Sequence, residues 1–216
     1  MLDKIFPKIH TEGYKFLVIF IAATIVLYFI HGFLGFIGFV LSIWVYYFFR
    51  DPDRVTIDDD NYLTSPADGL VLQVLETNGP TELGLENNKF TKISIFMNVF
   101  DCHVNRTPCA GKISQIVYKP GKFFNASLDK ASEENERNYF NIIENKTNEP
   151  IVVVQIAGLV ARRIVTQVEK KETLKQGQRL GMIRFGSRVD VYYTQRKTMV
   201  KVGQNVIAGE SIIASF

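Results

Sequence analysis

Asn148-Glu149-Pro150-Ile151-Val152-Val153-Val154-Gln155-Ile156 is a turn signal followed by six residues, all but Gln155 β-branched. A short apolar run of this kind, entered through Asn-Glu-Pro, reads as a buried strand. Similar runs occur at 70–75, 93–99 and 113–118 upstream, and at 163–168, 189–193 and 206–213 downstream. Turn-forming residues separate them: Ala67-Asp68-Gly69, Asn78-Gly79-Pro80, Lys119-Pro120-Gly121 and Lys175-Gln176-Gly177. Short strands at this spacing predict a mainly β domain, a sandwich or barrel of interlocked hairpins. One stretch, 131–139, is too polar to bury a face and is expected to form a short helix or an ordered loop.

Two local patterns refine the expected architecture. Val200-Lys201-Val202-Gly203-Gln204-Asn205-Val206-Ile207-Ala208-Gly209-Glu210 resembles the half-barrel of biotinyl and lipoyl domains. Ser65-Pro66-Ala67-Asp68-Gly69-Leu70-Val71 resembles the opening strand of a similar hammerhead-like fold.

The N-terminal part is different. From Phe16 to Phe49 there is no Asp, Glu, Lys or Arg. That run exceeds the ~20 residues needed for one helical crossing of a bilayer. His31-Gly32-Phe33-Leu34-Gly35 interrupts it. Two apolar helices, roughly 16–30 and 33–49, are therefore expected as a transmembrane or re-entrant hairpin. Lys4, Lys8 and Lys15 precede the run, and Arg50 and Arg54 follow it. The excess of basic residues puts both ends on the cytoplasmic side of the cell (inner) membrane. The run is too long for a signal peptide, and no small-residue cleavage site follows it. The expected organisation is a membrane hairpin at 1–50, a polar linker at 51–61 and one β domain at 62–216.

Two cysteines, Cys102 and Cys109, make no disulfide framework. They also make no zinc site, because Cys102, His103 and Cys109 lack zinc-ligand spacing and a fourth ligand, so no metal is expected. The formal charge of +3 suits a protein beside anionic headgroups. No long basic run or nucleic-acid motif is present.

Only three histidines occur. His10 precedes the apolar run and His31 lies within it, leaving His103 as the candidate proton donor and acceptor of the β domain. It stands where an apolar strand gives way to a loop, a usual place for site residues. Asp68 fits a turn aspartate beside glycine, or a carboxylate that orients an imidazole. Gly186-Ser187 fits a plain turn. It does not fit a serine-hydrolase elbow, since position 189 is valine. A third chemistry suits it: a serine hydroxyl attacking the carbonyl of a strained, unhindered preceding glycine, with the ester then breaking by β-elimination to leave a pyruvoyl group.

Five blocks in order carry a family resemblance. They are Ser65-Pro66-Ala67-Asp68-Gly69, then 96–106 (FMNVFDCHVNR), then 121–126 (GKFFNA) with 131–137 (ASEENER). Gln155-Ile156-Ala157-Gly158-Leu159 with 160–164, and the 181–187 block, complete the set. With the N-terminal hairpin they cover nearly the whole chain. The sequence resembles the short, membrane-anchored (archaeal-type) phosphatidylserine decarboxylases.

The resemblance implies that Ser187 becomes a covalent pyruvoyl cofactor after self-cleavage at Gly186-Ser187. That cut gives a β chain (1–186) and an α chain (187–216). It implies that the amine of phosphatidylserine forms a Schiff base with this group and that phosphatidylethanolamine and CO₂ are released. It also implicates Asp68 in self-cleavage and points to His103. Longer relatives keep a second histidine in this block where Arg106 stands here, so either His103 serves both steps or Asp68 and strain suffice for maturation. Lys119, Lys122, Arg162 and Arg163 are candidates to attract the lipid phosphate. Phe123 and Phe124 fit either core packing or the membrane interface. The expected partners are a phospholipid membrane, the lipid substrate and the second chain of the same proenzyme; a homo-oligomer is compatible. Two rival readings are a lipoyl-type carrier modified at Lys130, within Asp129-Lys130-Ala131, and a membrane serine hydrolase using Ser187.

Overall fold

The computed structural model describes residues 6–126, 134–159, 163–184 and 186–216. The chain divides into two compact units, Met1–Asp53 and Arg54–Phe216.

The first unit contains helices α1 (Gly13–Ile30) and α2 (Gly32–Phe48). α1 is long and apolar enough to cross a membrane, and only 6% of it is buried within the protein; α2 is apolar but shorter. Such exposed apolar surface fits a membrane association. The break between the helices is narrower than expected. Only His31 leaves helical geometry, and its Nδ1 accepts a hydrogen bond from Phe33 N–H (3.2 Å), capping α2. Gly35 lies inside α2 because it is used for packing and not for chain reversal. A Cβ there would stand 2.7 Å from Tyr28 Cβ, and one at Gly38 would stand 2.8 Å from Thr24 Oγ1. Small residues of this kind let two helices approach closely. Thr24 and Ser42 join their hydroxyls across the contact at 3.0 Å.

The second unit is mainly β, as expected. Its strands are β1 (Tyr62–Thr64), β2 (Gly69–Asn78), β3 (Lys89–Met97), β4 (Val104–Arg106), β5 (Gly111–Lys119), β6 (Arg137–Glu144) and β7 (Pro150–Ala157). They continue with β8 (Arg163–Thr166), β9 (Thr173–Leu174), β10 (Arg179–Arg184), β11 (Ser187–Tyr193), β12 (Lys197–Thr198), β13 (Asn205–Val206) and β14 (Ile212–Ser215). A large antiparallel sheet runs β13-β2-β3-β11-β7-β6-β5-β9. Two three-stranded sheets, β4-β10-β8 and β1-β14-β12, accompany it. One apolar core takes side chains from all three: Ile95, Val153 and Val189 from the large sheet, Leu180 and Ile183 from β10, and Leu63 and Ile213 from the third.

Two expectations needed correction. The helix or loop expected over 131–139 does not hold for its last residues, since Arg137, Asn138 and Tyr139 begin β6, a central strand; residues 131–133 lie outside the described set. The strand was hidden because its buried polar residues have internal partners. Glu144 pairs with Arg196, and Asn138 Nδ2 donates to Thr166 Oγ1 (3.0 Å). Buried polar groups are tolerated when so satisfied. The expected strand at 206–213 is split between β13 and β14, which belong to different sheets.

The polar segment at 54–61 is held along the β unit. Arg54 Nη2 donates to Asp68 Oδ2 (2.7 Å), Val55 N–H to Glu210 Oε1 (3.1 Å), and Arg196 Nη1 to Asn61 O (2.7 Å).

Candidate active site

β10 and β11 are consecutive in the chain yet belong to different sheets. Gly186 belongs to the connection between them. Gly186 takes φ +56°, a left-handed conformation that favours glycine. Ser187 opens β11 at the centre of the large sheet, paired to Met97 of β3 on one side and to Ala157 of β7 on the other. Its side chain alternates with Val189 and Val191 toward the core.

The Ser187 hydroxyl is buried and makes no hydrogen bond among the described residues. Leaving a buried hydroxyl unsatisfied costs about 1–3 kcal/mol, so the position calls for an explanation. The neighbouring carbonyl is closely confined. A Cβ at Gly158 would stand 2.1 Å from Gly186 O and 3.3 Å from Ala126 Cβ. The Gly186 carbonyl therefore rests directly on the backbone of Gly158, just past the end of β7. This wall is fastened by Asn135, whose Nδ2 donates to Ala157 O (2.7 Å) and Phe124 O (2.9 Å) and whose Oδ1 accepts from Phe124 N–H (2.8 Å).

His103 is fully buried at the entrance to β4. Its carbonyl accepts from Ile183 N–H (3.3 Å), extending the pairing of β4 with β10 and tying His103 to the strand that leads into Gly186. Strand alternation puts it on the same side as Asn105, whose Nδ2 meets Met97 Sδ at 3.4 Å. Met97 is the cross-strand neighbour of Ser187. The His103 Nδ1 lies 3.0 Å from Asp101 O. A carbonyl only accepts, so this contact calls for Nδ1–H, which in the neutral ring makes Nε2 the acceptor nitrogen.

Asp68 sits elsewhere in this network. Its Oδ1 accepts from Ala208 N–H (2.8 Å) and its Oδ2 from Arg54 Nη2 (2.7 Å), so neither oxygen bonds the imidazole or the Ser187 hydroxyl. The orienting acceptor for His103 is the Asp101 carbonyl, which no side-chain pattern could have announced. Arg106, in the place of the second histidine of longer relatives, donates through Nη1 to Gly177 O (2.9 Å).

The candidate phosphate-binding cations are dispersed. Lys122 is exposed, pairs with Glu134 at 2.9 Å and lies over the Phe124 ring, 5.5 Å from its centroid. Lys119 pairs with Glu82 at 2.7 Å. Arg163 is exposed on β8, opposite Arg184. Arg162 and Lys130 lie outside the described residues, as does Phe185.

Sequence reasoning missed three features of the site: the Gly158 backbone wall, the Asn135 clasp and the buried Gln155. Gln155 Nε2 donates to Asn105 Oδ1 (2.8 Å), joining β7 to β4 beneath the Met97–Ser187 pair. The one available signal was a lone amide in the apolar run 151–156. A cleft of about 380 Å³ opens on the other face of the large sheet, lined among others by Glu82, Lys119, Arg137, Tyr139, Asp190 and Tyr192. Burial raises the Tyr139 and Tyr192 phenols well above their ordinary value. Ser187 faces away from this cleft and does not line it.

Residues 41–214 match the family model for phosphatidylserine decarboxylase. The chain belongs to the phosphatidylserine decarboxylase family. It is 70% identical over 214 residues to a phosphatidylserine decarboxylase proenzyme from Pelagibacter ubique (strain HTCC1062), covering 99% of each chain. It is 53% identical over 215 residues to a proenzyme of the same name from Ruegeria pomeroyi (strain ATCC 700808 / DSM 15171 / DSS-3), covering 99% of this chain and 98% of the relative. The proenzyme name gives the buried serine beside a left-handed glycine a chemical context: these relatives are named as precursors.

Proposed function

We propose that this protein is a carboxy-lyase that converts phosphatidylserine to phosphatidylethanolamine and CO₂, using a pyruvoyl group made from its own Ser187. The observation that carries this reading is the buried, unbonded Ser187 hydroxyl next to the confined, left-handed Gly186. These residues fit the group, since a hydroxyl with no structural bond to lose stands beside the carbonyl it would attack.

In maturation, the Ser187 Oγ attacks the Gly186 carbonyl carbon, and the peptide C–N bond gives way to an ester. Loss of the Ser187 Cα proton then expels Gly186 as a carboxylate, breaking the Cβ–Oγ bond. The dehydroalanine left at 187 takes up water and releases ammonia. The products are chains 1–186 and 187–216. Pairing of β11 with β3 and β7 holds the new chain end in place. His103 is the base available from the β4–β10 pair, while Asp68 acts at a distance by fastening Arg54 and Ala208.

In decarboxylation, the pyruvoyl carbonyl supplies the electron sink for the bond to the departing carboxylate. His103, with Nδ1 held by Asp101 O, delivers from Nε2 the proton that replaces CO₂ on the substrate carbon. Lys122 and Arg163, with Arg162, attract the lipid phosphate, and Phe123 lies beside Lys122 at the approach. The basic residues flanking the hairpin support an orientation with the β unit on the cytoplasmic face of the inner membrane.

The test is release of labelled CO₂ from carboxyl-labelled phosphatidylserine by the purified full chain. The parent should release it, borohydride treatment with substrate should abolish it, and Ser187→Ala should remain uncut and inactive. A Ser187→Ala protein that still releases CO₂ would defeat the proposal.

A further inference from the structure

Four large apolar side chains stand in solvent at the end of the sheet that bears Ser187. Phe100 is 62% exposed, Leu159 67%, Phe123 37% and Phe124 40%. They come from three separate loops that leave the sheet at this end. β3 ends at Met97 and β7 at Ala157, the two neighbours of Ser187, so the Phe100 and Leu159 loops flank it on either side. The Phe123–Phe124 loop is pinned to Ala157 through Asn135.

The Phe100 turn is held where it is, so its exposure is built in. Asn98 Oδ1 accepts from Phe100 N–H (2.8 Å), and Asp101 Oδ2 accepts from Asn98 N–H (2.8 Å). Lys122, on the same rim, sets its exposed ammonium over the Phe124 ring while pairing with Glu134. Apolar and aromatic tips with an adjacent cation match the headgroup zone of an anionic bilayer. The substrate chemistry adds a geometric demand. The serine carboxylate of the lipid lies only a few bonds from the bilayer-anchored glycerol, whereas Ser187 is buried.

We propose that Phe100, Leu159, Phe123 and Phe124 form a rim that inserts into the bilayer interface and seats the mouth of the site on the lipid surface. This inference rests on the decarboxylase reading, and it adds a second membrane contact made by the β unit itself. Phe100 and Leu159 are its new members, and they make the sharper test because neither has a part in the chemistry.

Two measurements decide it, both on the full chain in vesicles of phosphatidylglycerol and phosphatidylcholine. Trp44 is the single tryptophan, so a Trp44→Phe background isolates a probe introduced as Phe100→Trp. Lipids brominated near the headgroup should quench that probe, as they should quench Trp44 in the parent. A Phe100→Trp probe left unquenched, while Trp44 is quenched, would overturn the proposal. Second, the double variant Phe100→Ser, Leu159→Ser should lose at least about tenfold in kcat/KM on phosphatidylserine in vesicles, since fully burying even one such side chain is already worth about that factor. On a short-chain, water-soluble phosphatidylserine it should match the parent. Equal loss on both substrates would argue against the rim. A parent inactive on both would defeat the decarboxylase reading and leave the quenching result to judge the rim.

Discussion

Alanine at position 158 would collide with the carbonyl on which maturation depends. A Cβ built there lies 2.1 Å from Gly186 O and 2.9 Å from Gly186 C, where ordinary contact begins at 3.4 Å. Both obstructing atoms are backbone, so no rotamer relieves the overlap. Either the Gly186 carbonyl retreats or the end of β7 gives way, by about 1 Å in each case. A misplacement of about 1 Å costs on the order of 100-fold in an aligned reaction, or about 2.7 kcal/mol of barrier. Gly158→Ala is therefore expected to slow self-cleavage about 100-fold while the chain still folds. Gly186→Ala is the contrasting control. Its Cβ meets nothing within 4 Å, but its φ of +56° costs an alanine about 1–2 kcal/mol. The assay is a pulse–chase of newly made chain, following conversion of the full-length form to the 1–186 fragment on gels, with unfolding midpoints measured in parallel. A folded Gly158→Ala protein that matures at the parental rate would refute the reasoning.

Other outcomes follow from the same geometry. Asp190→Asn should destabilise the β unit by about 3–5 kcal/mol in denaturant unfolding, because it strands the buried Arg188 that Asp190 now holds at 2.6 and 3.0 Å. The double change Arg188→Met, Asp190→Leu should recover most of that loss. Glu82 should titrate at about 2 by NMR instead of at 4.5; burial alone would raise it, but the Lys119 hydrogen bond and the Arg137 charge outweigh that. A depressed carboxylate stabilises the fold fully above its ordinary value, and the contribution fades as pH falls toward 2. Lys119→Met should move the titration upward and blunt that acid dependence. Cys102 and Cys109 are buried, and burial pushes the Cys109 thiol well up, so both should resist thiol reagents until denaturant is added.

How far the sequence carried depended on whether a feature was local. The strands of the large sheet were legible at β7, where a β-branched run is buried on both faces, and at β3 and β11, where Ile93 and Ile95 and then Val189 and Val191 alternate toward the core. β6 was not legible, since Arg137, Asn138, Asn141 and Glu144 look like a solvated loop until Glu82, Thr166 and Arg196 are known to meet three of them. The break at His31 was found, but its width was misjudged because Gly35 serves helix packing. In the site, Gly186, Ser187 and His103 could be named from motifs. The surroundings of Gly186 and Ser187 could not, because they depend on long-range pairing: Ser187 between Met97 and Ala157, and Gly186 O on Gly158. Asp68 shows the opposite case. Its place in a motif suggested a partner for the imidazole, yet its oxygens hold Arg54 and Ala208.

The central claim is that the Ser187 hydroxyl cuts its own chain and leaves a ketone behind. Intact-mass spectrometry of the purified protein tests it directly. The account predicts two polypeptides, 1–186 and 187–216, the smaller lighter by one ammonia than a fragment beginning with serine. An uncut chain, or a 187–216 fragment with a free serine amine, would contradict it.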